Sequence, residues 1–424
     1  MSLISKSSPE FLSLPNEILA KICVYAVDRE PVTRGKDWLL AVRHTCKLLY
    51  APATRELAKR FLTSRIVMMS RCSLQELVAI CKHDLIGPYV QEIVFYPYQL
   101  NSKFLGTIQA RMNSLIMQKD HEGLMEAKTY VEWYFERVEE EMHLETSSDV
   151  QMFLKEAFCA LRKYQRPIKF ITTTENSRNV LFSHSNKRES RPQFEQFLSF
   201  SKIAYAQHGD LTPILRVFEA ALEAGCHIQA CEVRSDAECH KLVHLSQAGS
   251  KALSCLRRLA IDTSGSIPSG NTDTTVETIV SGAKRLERLV LSSDTEYAKK
   301  SWNLSLYVYR LMTVLESHAL RQIWLREIVV YPKGLFFMLG KHKDTLKELT
   351  ISNVLLIGPW DKILLSIKDE LRLDKLVMIN LSTVDFHEFH DDFEIEDAEI
   401  DIDGGIELNG SEQVISGIDE VLIR

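Results

Sequence analysis

The chain has 424 residues, of which 45% are hydrophobic and 25% are charged, and its formal net charge is −6. These values are ordinary for a globular protein, and no apolar run approaches the roughly 18 residues that suggest a membrane-spanning helix. The nine cysteines are scattered through apolar segments, which favours free buried thiols over a disulfide framework. Composition therefore predicts a cytoplasmic or nuclear protein that does not enter a membrane.

The charges are unevenly distributed along the chain. Residues 385–424 hold fourteen acidic residues and one basic residue, whereas residues 1–65 hold eleven basic and six acidic residues. The N-terminal excess is too small to indicate nucleic-acid binding. Three interpretations of the acidic tail are open, namely a solvated edge strand, a disordered segment, or a cap on the end of a repeat array.

The first predicted elements are three short helices near the N-terminus. Pro15 has no amide hydrogen and therefore suits a first helical turn, and Glu17 complements the positive end of the helix dipole. Ile18, Leu19 and Ile22 fall on one face at helical spacing. Apolar spacing predicts helices over 15–27, 37–50 and 54–65, with a long polar loop over 28–36.

These residues resemble a known motif. Leu14-Pro15-x-Glu17-Ile18-Leu19-x-x-Ile22, followed by Leu39-x-x-Val42-Arg43-x-x-Cys46-Lys47, is similar to an F-box over about residues 11–62. In that family a three-helix module binds the Skp adaptor of cullin-based SCF ubiquitin ligases. The resemblance implies adaptor binding through Leu14, Pro15, Glu17, Ile18, Leu19, Ile22, Leu39, Val42, Arg43, Cys46 and Lys47. The polar segment 28–36 is longer than the family linker, which would alter the docking surface. A helical hairpin belonging to the main core is the alternative.

Earlier parts of the body alternate between helices and strands. The sequence predicts helices over 74–81, 123–144 and 150–161, strands over 90–95 and 168–173, and a loop or insertion over 172–192.

The template Leu-x-x-Leu-x-Leu then recurs after residue 225. Its fourth and sixth positions share one face of a strand, while the first packs beneath the same core from the preceding turn. Helices are predicted between the strands, over 275–283, 304–315, 333–341 and 360–368. The pattern resembles a degenerate leucine-rich repeat array, and an ordinary α/β domain is the alternative. The template begins at Ile228, which is a poor match, and at Leu256, Leu286, Leu320, Leu346 and Leu373.

The predicted fold class is α/β, with an N-terminal three-helix F-box followed by an irregular leucine-rich-repeat-like solenoid. The predicted divisions are a tail over 1–10, the helical module over 11–65, the repeat body over 66–384 and the acidic tail over 385–424. This combination resembles the fungal F-box proteins with leucine-rich-like repeats.

Strand alternation assigns residues to the outward face of the repeats. The predicted central row is Glu232, Ala260, Val290, Trp324, Thr350 and Val377. The row beyond it is Arg234, Asp262, Ser292, Arg326, Ser352 and Ile379. Trp324 and Arg326 stand out because Trp and Arg are enriched among binding hot spots. Together with Glu232, Arg234 and Asp262 they form the predicted substrate-binding set. The alternative is that the tail or a long loop covers Trp324.

Metal and catalytic motifs are weak. Cys226, His227, Cys231, Cys239, His240 and His244 crowd together, but they lack the paired short spacings of a structural zinc site. His387 and His390 are too close for a His-Glu-x-x-His helix. A calcium loop over Glu399, Asp401 and Asp403 would place Gly410 where a bidentate Glu is needed. We expect no cofactor, no metal and no catalytic activity.

The expected function is that of a substrate-recruiting adaptor. As the F-box resemblance implies, the head would bind a Skp-type adaptor and its cullin complex, and the body would bind a protein substrate for ubiquitination. Two alternatives stay open, a repeat scaffold with a helical N-terminal cap and an enzyme with an unrecognised site.

Overall fold

The structure is a computed structural model, and it describes the chain in thirteen segments. None of the described helices is long and apolar enough to cross a membrane. The described residues are 14–28, 32–45, 47–68, 70–96, 99–100, 104–118, 121–173, 205–206, 212–234, 247–262, 275–293, 302–384 and 399–423.

Three helices form the N-terminal head: α1 (Asn16–Asp28), α2 (Val32–Arg43) and α3 (Lys47–Phe61). Helix α1 begins as the Leu-Pro-x-Glu pattern predicts. The carbonyl of Pro15 accepts hydrogen bonds from the N–H groups of Ile18 at 3.0 Å and Leu19 at 3.1 Å. Pro15 therefore caps the helix from just outside it and Glu17 lies in the first turn.

The predicted boundaries of the second and third helices are wrong. Helix α2 already begins at Val32, so most of the predicted 28–36 loop is helical. Gly35 explains this, because a Cβ there would lie 2.9 Å from Val27 Cγ1, and glycine allows α2 to pack closely against α1. Helix α2 ends early because the Thr45 hydroxyl bonds to the Val42 carbonyl at 2.7 Å. Helix α3 then contains Pro52 and ends four residues before the predicted end.

The head has its own small core. Cys23, Val27, Leu39, Ala53 and Leu57 form a buried cluster that is distinct from the main core of the chain. A cluster of this size buries little apolar area, so the head depends on neighbouring structure for much of its stability.

The body is a mixed α/β structure built on a largely parallel sheet. Among the described residues eleven strands form this sheet, and its order follows the chain, β1-β2-β4-β6-β7-β8-β9-β11-β12-β13, with β10 beside β11. All pairings are parallel except β12 with β13, which is antiparallel. The strands are β1 (Ser64–Met68), β2 (Glu92–Tyr96), β3 (Gln99–Leu100), β4 (Ile168–Thr173), β5 (Tyr205–Ala206), β6 (Ile228–Arg234), β7 (Arg258–Asp262), β8 (Arg288–Ser292), β9 (Gln322–Arg326), β10 (Val329–Val330), β11 (Glu348–Ile357), β12 (Lys375–Val384) and β13 (Glu399–Asn409).

Helices occupy the connections between most strands. The helices predicted at 74–81, 123–144, 150–161, 275–283, 304–315, 333–341 and 360–368 are all confirmed within a few residues. The strands β3 and β5 form a separate antiparallel pair. The body helices are α4 (Arg71–Lys82), α5 (Phe104–Gln118), α6 (His121–Thr146), α7 (Asp149–Arg162), α8 (Thr212–Glu223), α9 (Gln247–Leu253), α10 (Thr275–Gly282), α11 (Trp302–Val314), α12 (Pro332–Lys341), α13 (Asp361–Glu370) and α14 (Ser411–Ile423), with a 3₁₀ turn at Gly87–Tyr89.

The six copies of the template pack as predicted. Every residue at its first, fourth and sixth positions is buried. Each turn before a strand also bonds to the preceding turn, as when the Glu287 N–H donates to the Arg257 carbonyl at 2.8 Å and the Arg321 N–H to the Glu287 carbonyl at 2.9 Å. Sheet pairing therefore continues into the turns and holds successive units in register.

The region predicted as a loop over 172–192 begins inside the sheet. Thr172 and Thr173 are the last residues of β4, and Thr172 is buried. Thr172 occupies the alternate position after Ile168 and Phe170 and is buried as they are, so strand pairing overrides the polar composition that suggested a loop. Residues 174–192 lie outside the described part of the chain.

The C-terminal segment supports the cap interpretation of the acidic tail. Strand β13 pairs antiparallel with β12, and α14 follows and packs against α13. Val414 and Ile418 on α14 are buried in the main core, and Lys368 on α13 forms an ion pair with Asp419. Residues 385–398 lie outside the described segments. The part from 399 to 423 thus covers the end of the stack.

Three neighbouring strands share an unusual backbone position. Glu327, Asn353 and Asn380 have φ values of 55°, 53° and 49°, and each follows a residue of the same cross-strand row. The Asn380 side-chain amide donates to the Asn353 side-chain oxygen at 2.9 Å. Asn tolerates positive φ better than most residues, which suits Asn353 and Asn380 to these positions.

One buried histidine makes stability depend on pH. His342, after α12, is buried, and desolvation followed by the charges of Lys341 and His318 lowers its pKa to about 4, although a hydrogen bond to the Ser317 backbone opposes this shift. Between about pH 6.5 and 4 the His342 side chain is therefore protonated in the unfolded chain and neutral in the folded chain. The free energy of unfolding falls as pH falls through that window. We expect a loss of about 2 kcal/mol between pH 7 and pH 5 from this group.

Urea unfolding at pH 7 and pH 5 measures this dependence. His342→Phe should flatten the pH profile, since it removes a titrating group whose Nε2 has no hydrogen-bond partner among the described residues. His318→Gln, at an exposed position, is the matched control and should keep most of the slope. An unchanged slope in His342→Phe would contradict the assignment.

Candidate functional site

The outward residues of the strands form the candidate binding surface, which we call the open face. Residues two apart on a strand share this face, and the strand register aligns them across the sheet. The two predicted rows are confirmed by that register, since Glu232 pairs with Ala260 and the row continues through Val290, Trp324 and Thr350 to Val377. The second row likewise runs from Arg234 through Asp262 and Arg326 to Ile379.

Trp324 lies exposed at the centre of the open face. It keeps 38% of its surface accessible, so the described part of the tail does not cover it, while residues 385–398 of the tail lie outside the described residues. The guanidinium carbon of Arg288 lies 3.8 Å from the centre of the Trp324 ring. This stacked cation–π contact fixes both side chains and leaves the rest of the indole open.

A groove of about 710 Å³ surrounds Trp324. Three of the five predicted substrate-binding residues, Asp262, Trp324 and Arg326, line it, together with Ser293 and Asn353. Ser293 is buried, and its hydroxyl has no hydrogen-bond partner among the described residues. The groove thus combines an aromatic surface with polar side chains, of which one hydroxyl lacks a partner among the described residues, and these are features of a binding site.

The Arg326 side chain forms an ion pair through its Nε atom. Its Nε lies 2.8 Å from Glu327 Oε1, while 67% of its side-chain surface is accessible. An ion pair this exposed contributes little to stability, so Arg326 is available to a partner.

The structure separates the other two predicted residues from the groove. Glu232 and Arg234 do not line it and instead pair with each other, and Lys169 on β4 lies 2.6 Å from Glu232. Burial alone would raise the pKa of Glu232, but the hydrogen bonds from Lys169 and Arg234 lower it below its ordinary value. Glu232 and Arg234 therefore neutralise each other on the open face.

Sequence reasoning missed a third row on the open face. The register aligns Lys169, Ala230, Arg258, Arg288 and Gln322, two residues before the central row. The sequence does contain a signal for this row. Arg258 and Arg288 each immediately precede the buried fourth position of the template, and strand alternation therefore places them on the open face. Arg258 and Arg288 are direct neighbours in this row.

A second groove, of about 600 Å³, lies where the strands begin. Lys169, Arg257, Arg258, Glu287 and Thr63 are among its lining residues. Arg257 and Glu287 form an ion pair of 2.8 Å across it. Because Thr63 follows helix α3, this groove lies beside the junction between the head and the sheet.

The predicted adaptor-binding residues divide into two groups. Leu19 and Leu39 are buried and hold the head together, and Leu39 belongs to the head core. Cys46 lies outside the described residues. Leu14, Ile22, Val42 and Arg43 are half-buried, whereas Pro15, Glu17, Ile18 and Lys47 are exposed. Ile18 keeps 40% of its surface accessible, which is high for an isoleucine on a helix.

The suggested zinc and calcium motifs have structural positions. Cys226 and Cys231 belong to the main core, and burial raises the pKa of Cys226 to about 11. Glu399, Asp401 and Asp403 lie in the extended strand β13 rather than in a loop. The remaining residues of those motifs, Cys239, His240, His244, His387 and His390, lie outside the described segments.

Comparisons of the chain with protein-family models, with curated proteins and with solved structures found no match.

Proposed function

We propose that the chain is the substrate receptor of an SCF-type ubiquitin ligase. In this proposal the α1–α3 head is an F-box that binds a Skp-type adaptor, and the body is a leucine-rich-repeat-like solenoid that binds a protein substrate. The chain itself positions the substrate, and its partners carry out the ubiquitin chemistry.

The division of roles within the head carries this proposal. Leu19 and Leu39 pack inward, whereas Pro15 and Ile18 of the same motif remain exposed. An isolated apolar side chain on a surface is ordinary, but Pro15 and Ile18 both belong to the set that the F-box resemblance assigns to adaptor binding. The separate core of the head is compatible with a module that presents one surface to a partner.

The body supports the solenoid part of the proposal. Strands that pair in chain order, helices between them and one buried template per unit are features of repeat proteins, in which each unit contacts mainly its neighbours. Such proteins commonly use an extended sheet face for binding, and the Trp324 groove lies on that face.

Co-purification of the full chain with a Skp-family adaptor tests the proposal. Leu14→Ala combined with Pro15→Ala should lower adaptor affinity by about a hundredfold, because burying two such side chains contributes roughly 1.5 kcal/mol or more each. Ile18→Ser tests an exposed position, and Lys21→Ala, exposed on the same helix, is the matched control. Unchanged thermal unfolding of the variants would show that the body stays folded.

A second candidate function is a repeat scaffold whose head is only a cap. It is favoured by the short junction, since two residues separate α3 from β1, and by the hydrogen-bonding contact of 3.3 Å between Tyr50 Oη and His83 Nε2. Equal adaptor binding by the wild type and the double alanine variant would contradict the proposed docking surface. No binding by either protein would favour the scaffold.

A further inference from the structure

Arg258 and Arg288, which we call the arginine pair, differ from Lys169 and Lys375 of the same row, which each pair with a carboxylate. On one side Glu92, Lys169 and Glu232 form a chain of ion pairs at 3.6 and 2.6 Å. On the other side Lys375 pairs with Glu407 at 2.5 Å. Among the described residues, neither member of the arginine pair forms an ion pair with a carboxylate.

The backbone positions of the arginine pair are adjacent. The two residues are register partners on β7 and β8, and adjacent strands are about 4.8 Å apart. Burial and then the charge of Arg258 lower the pKa of Arg288, and Glu348 opposes this only through space. Among the described residues the two like charges therefore lie on adjacent strands without a directly bonded carboxylate, and Glu348 compensates them only at longer range.

Arg288 is also held in a fixed orientation. Its guanidinium stacks on Trp324 at 3.8 Å, and its Nε is buried without a hydrogen-bond partner among the described residues. A guanidinium fixed in this way loses little conformational entropy when it binds an oxyanion, and its planar arrangement of donors suits carboxylate and phosphate groups.

We propose that the arginine pair binds an oxyanion group, a side-chain carboxylate or a phosphate, on an extended segment of the protein substrate. The residue next to that group lies against the accessible part of Trp324. This inference rests on the proposed function for the nature of the partner. The proposed site should select acidic segments, because a basic or neutral segment would not relieve the repulsion between the two arginines.

Degenerate peptide libraries test the inference on the full-length chain. The peptides carry Asp, Glu, phosphoserine or Ser at a fixed central position and random residues elsewhere. We expect about tenfold tighter average binding of at least one acidic library than of the Ser library, with steep weakening at high salt. Comparing the affinities of the Asp and Glu libraries with that of the phosphoserine library shows whether a carboxylate or a phosphate is preferred.

Variants connect the preference to the two arginines. Arg258→Gln with Arg288→Gln should abolish it, whereas Arg285→Gln with Lys343→Gln, the same charge change at exposed turns, should retain it. Arg288→Lys keeps the charge but loses the planar donors, and it should lower the preference severalfold. Equal binding of all libraries by the wild type, or an undiminished preference in the double Gln variant, would overturn the inference.

Adaptor binding is measured on the same protein preparations. The arginine variants should bind the Skp-family adaptor as the wild type does, because their changes lie on the body. A protein that binds the adaptor and shows no acidic preference refutes only this inference. A protein that shows the preference and does not bind the adaptor refutes only the ligase assignment.

Discussion

Phe170→Ala should lower the free energy of unfolding by about 3–5 kcal/mol, the range typical of a buried phenylalanine. Phe170 on β4 is completely buried. The centre of its ring lies 6.1 Å from the ring centre of Phe95 on β2 and 5.9 Å from that of Phe218 on α8. Removing it leaves a cavity and breaks two aromatic contacts that join consecutive units of the stack. Since a protein of this kind is stable by only 5–15 kcal/mol, such a loss is severe.

Urea unfolding followed by circular dichroism measures the effect. Phe337→Ala is the matched control, because half of the Phe337 side chain is exposed on α12, and it should change stability by no more than about 0.5 kcal/mol. A loss below about 1 kcal/mol for Phe170→Ala would mean that this part of the core is not packed as described.

Ile418→Asp should detach the C-terminal helix α14 from the stack. Ile418 is completely buried, and an unpaired carboxylate at that position costs several kilocalories per mole. Detachment would also break the ion pair between Lys368 and Asp419. The apolar surface beneath α14 would then be open to water, so we expect both lower stability and self-association.

Ile415 provides the control for this prediction. It lies three residues earlier on α14, and 44% of its surface is accessible. Ile415→Asp should therefore change stability by about 0.5 kcal/mol or less. Limited proteolysis distinguishes the two variants, since only a detached α14 is cleaved rapidly. Equal protection of both helices would contradict the assignment of α14 as the cap.

Much of the body could be predicted from sequence because its structure is local. In each repeat unit, alternation along about five residues decides which side chains face the core, and the template repeats that decision six times. Successive units pair in chain order, so predicting each strand also predicts its neighbour. This is why the rows through Trp324 and Arg326 were predicted correctly.

The errors occurred where packing between distant residues decides the structure. The segment 28–36 is polar and contains Gly35, which suggests a loop, yet close packing on Val27 makes its second half helical. In the tail, sequence alone could not decide among a strand, disorder and a cap, because the choice depends on whether β12 offers a partner. The arginine pair is notable because the neighbouring lysines already pair with carboxylates, and the sequence alone does not show which charged side chains form ion pairs.

The order of the strands has a consequence for synthesis on the ribosome. In the large sheet β2, β4, β6, β7, β8, β9, β11 and β12 each pair with a strand that precedes them in the chain, so each unit can add to a folded edge as it emerges. The head precedes the body in the chain and can therefore be folded while the body is still being synthesised. The unit of β13 with α14 pairs with β12, so the edge of β12 stays exposed until this unit has been synthesised. A chain that ended before β13 would leave the ribosome with the edge of β12 unpaired, and an unpaired strand edge promotes association with other chains.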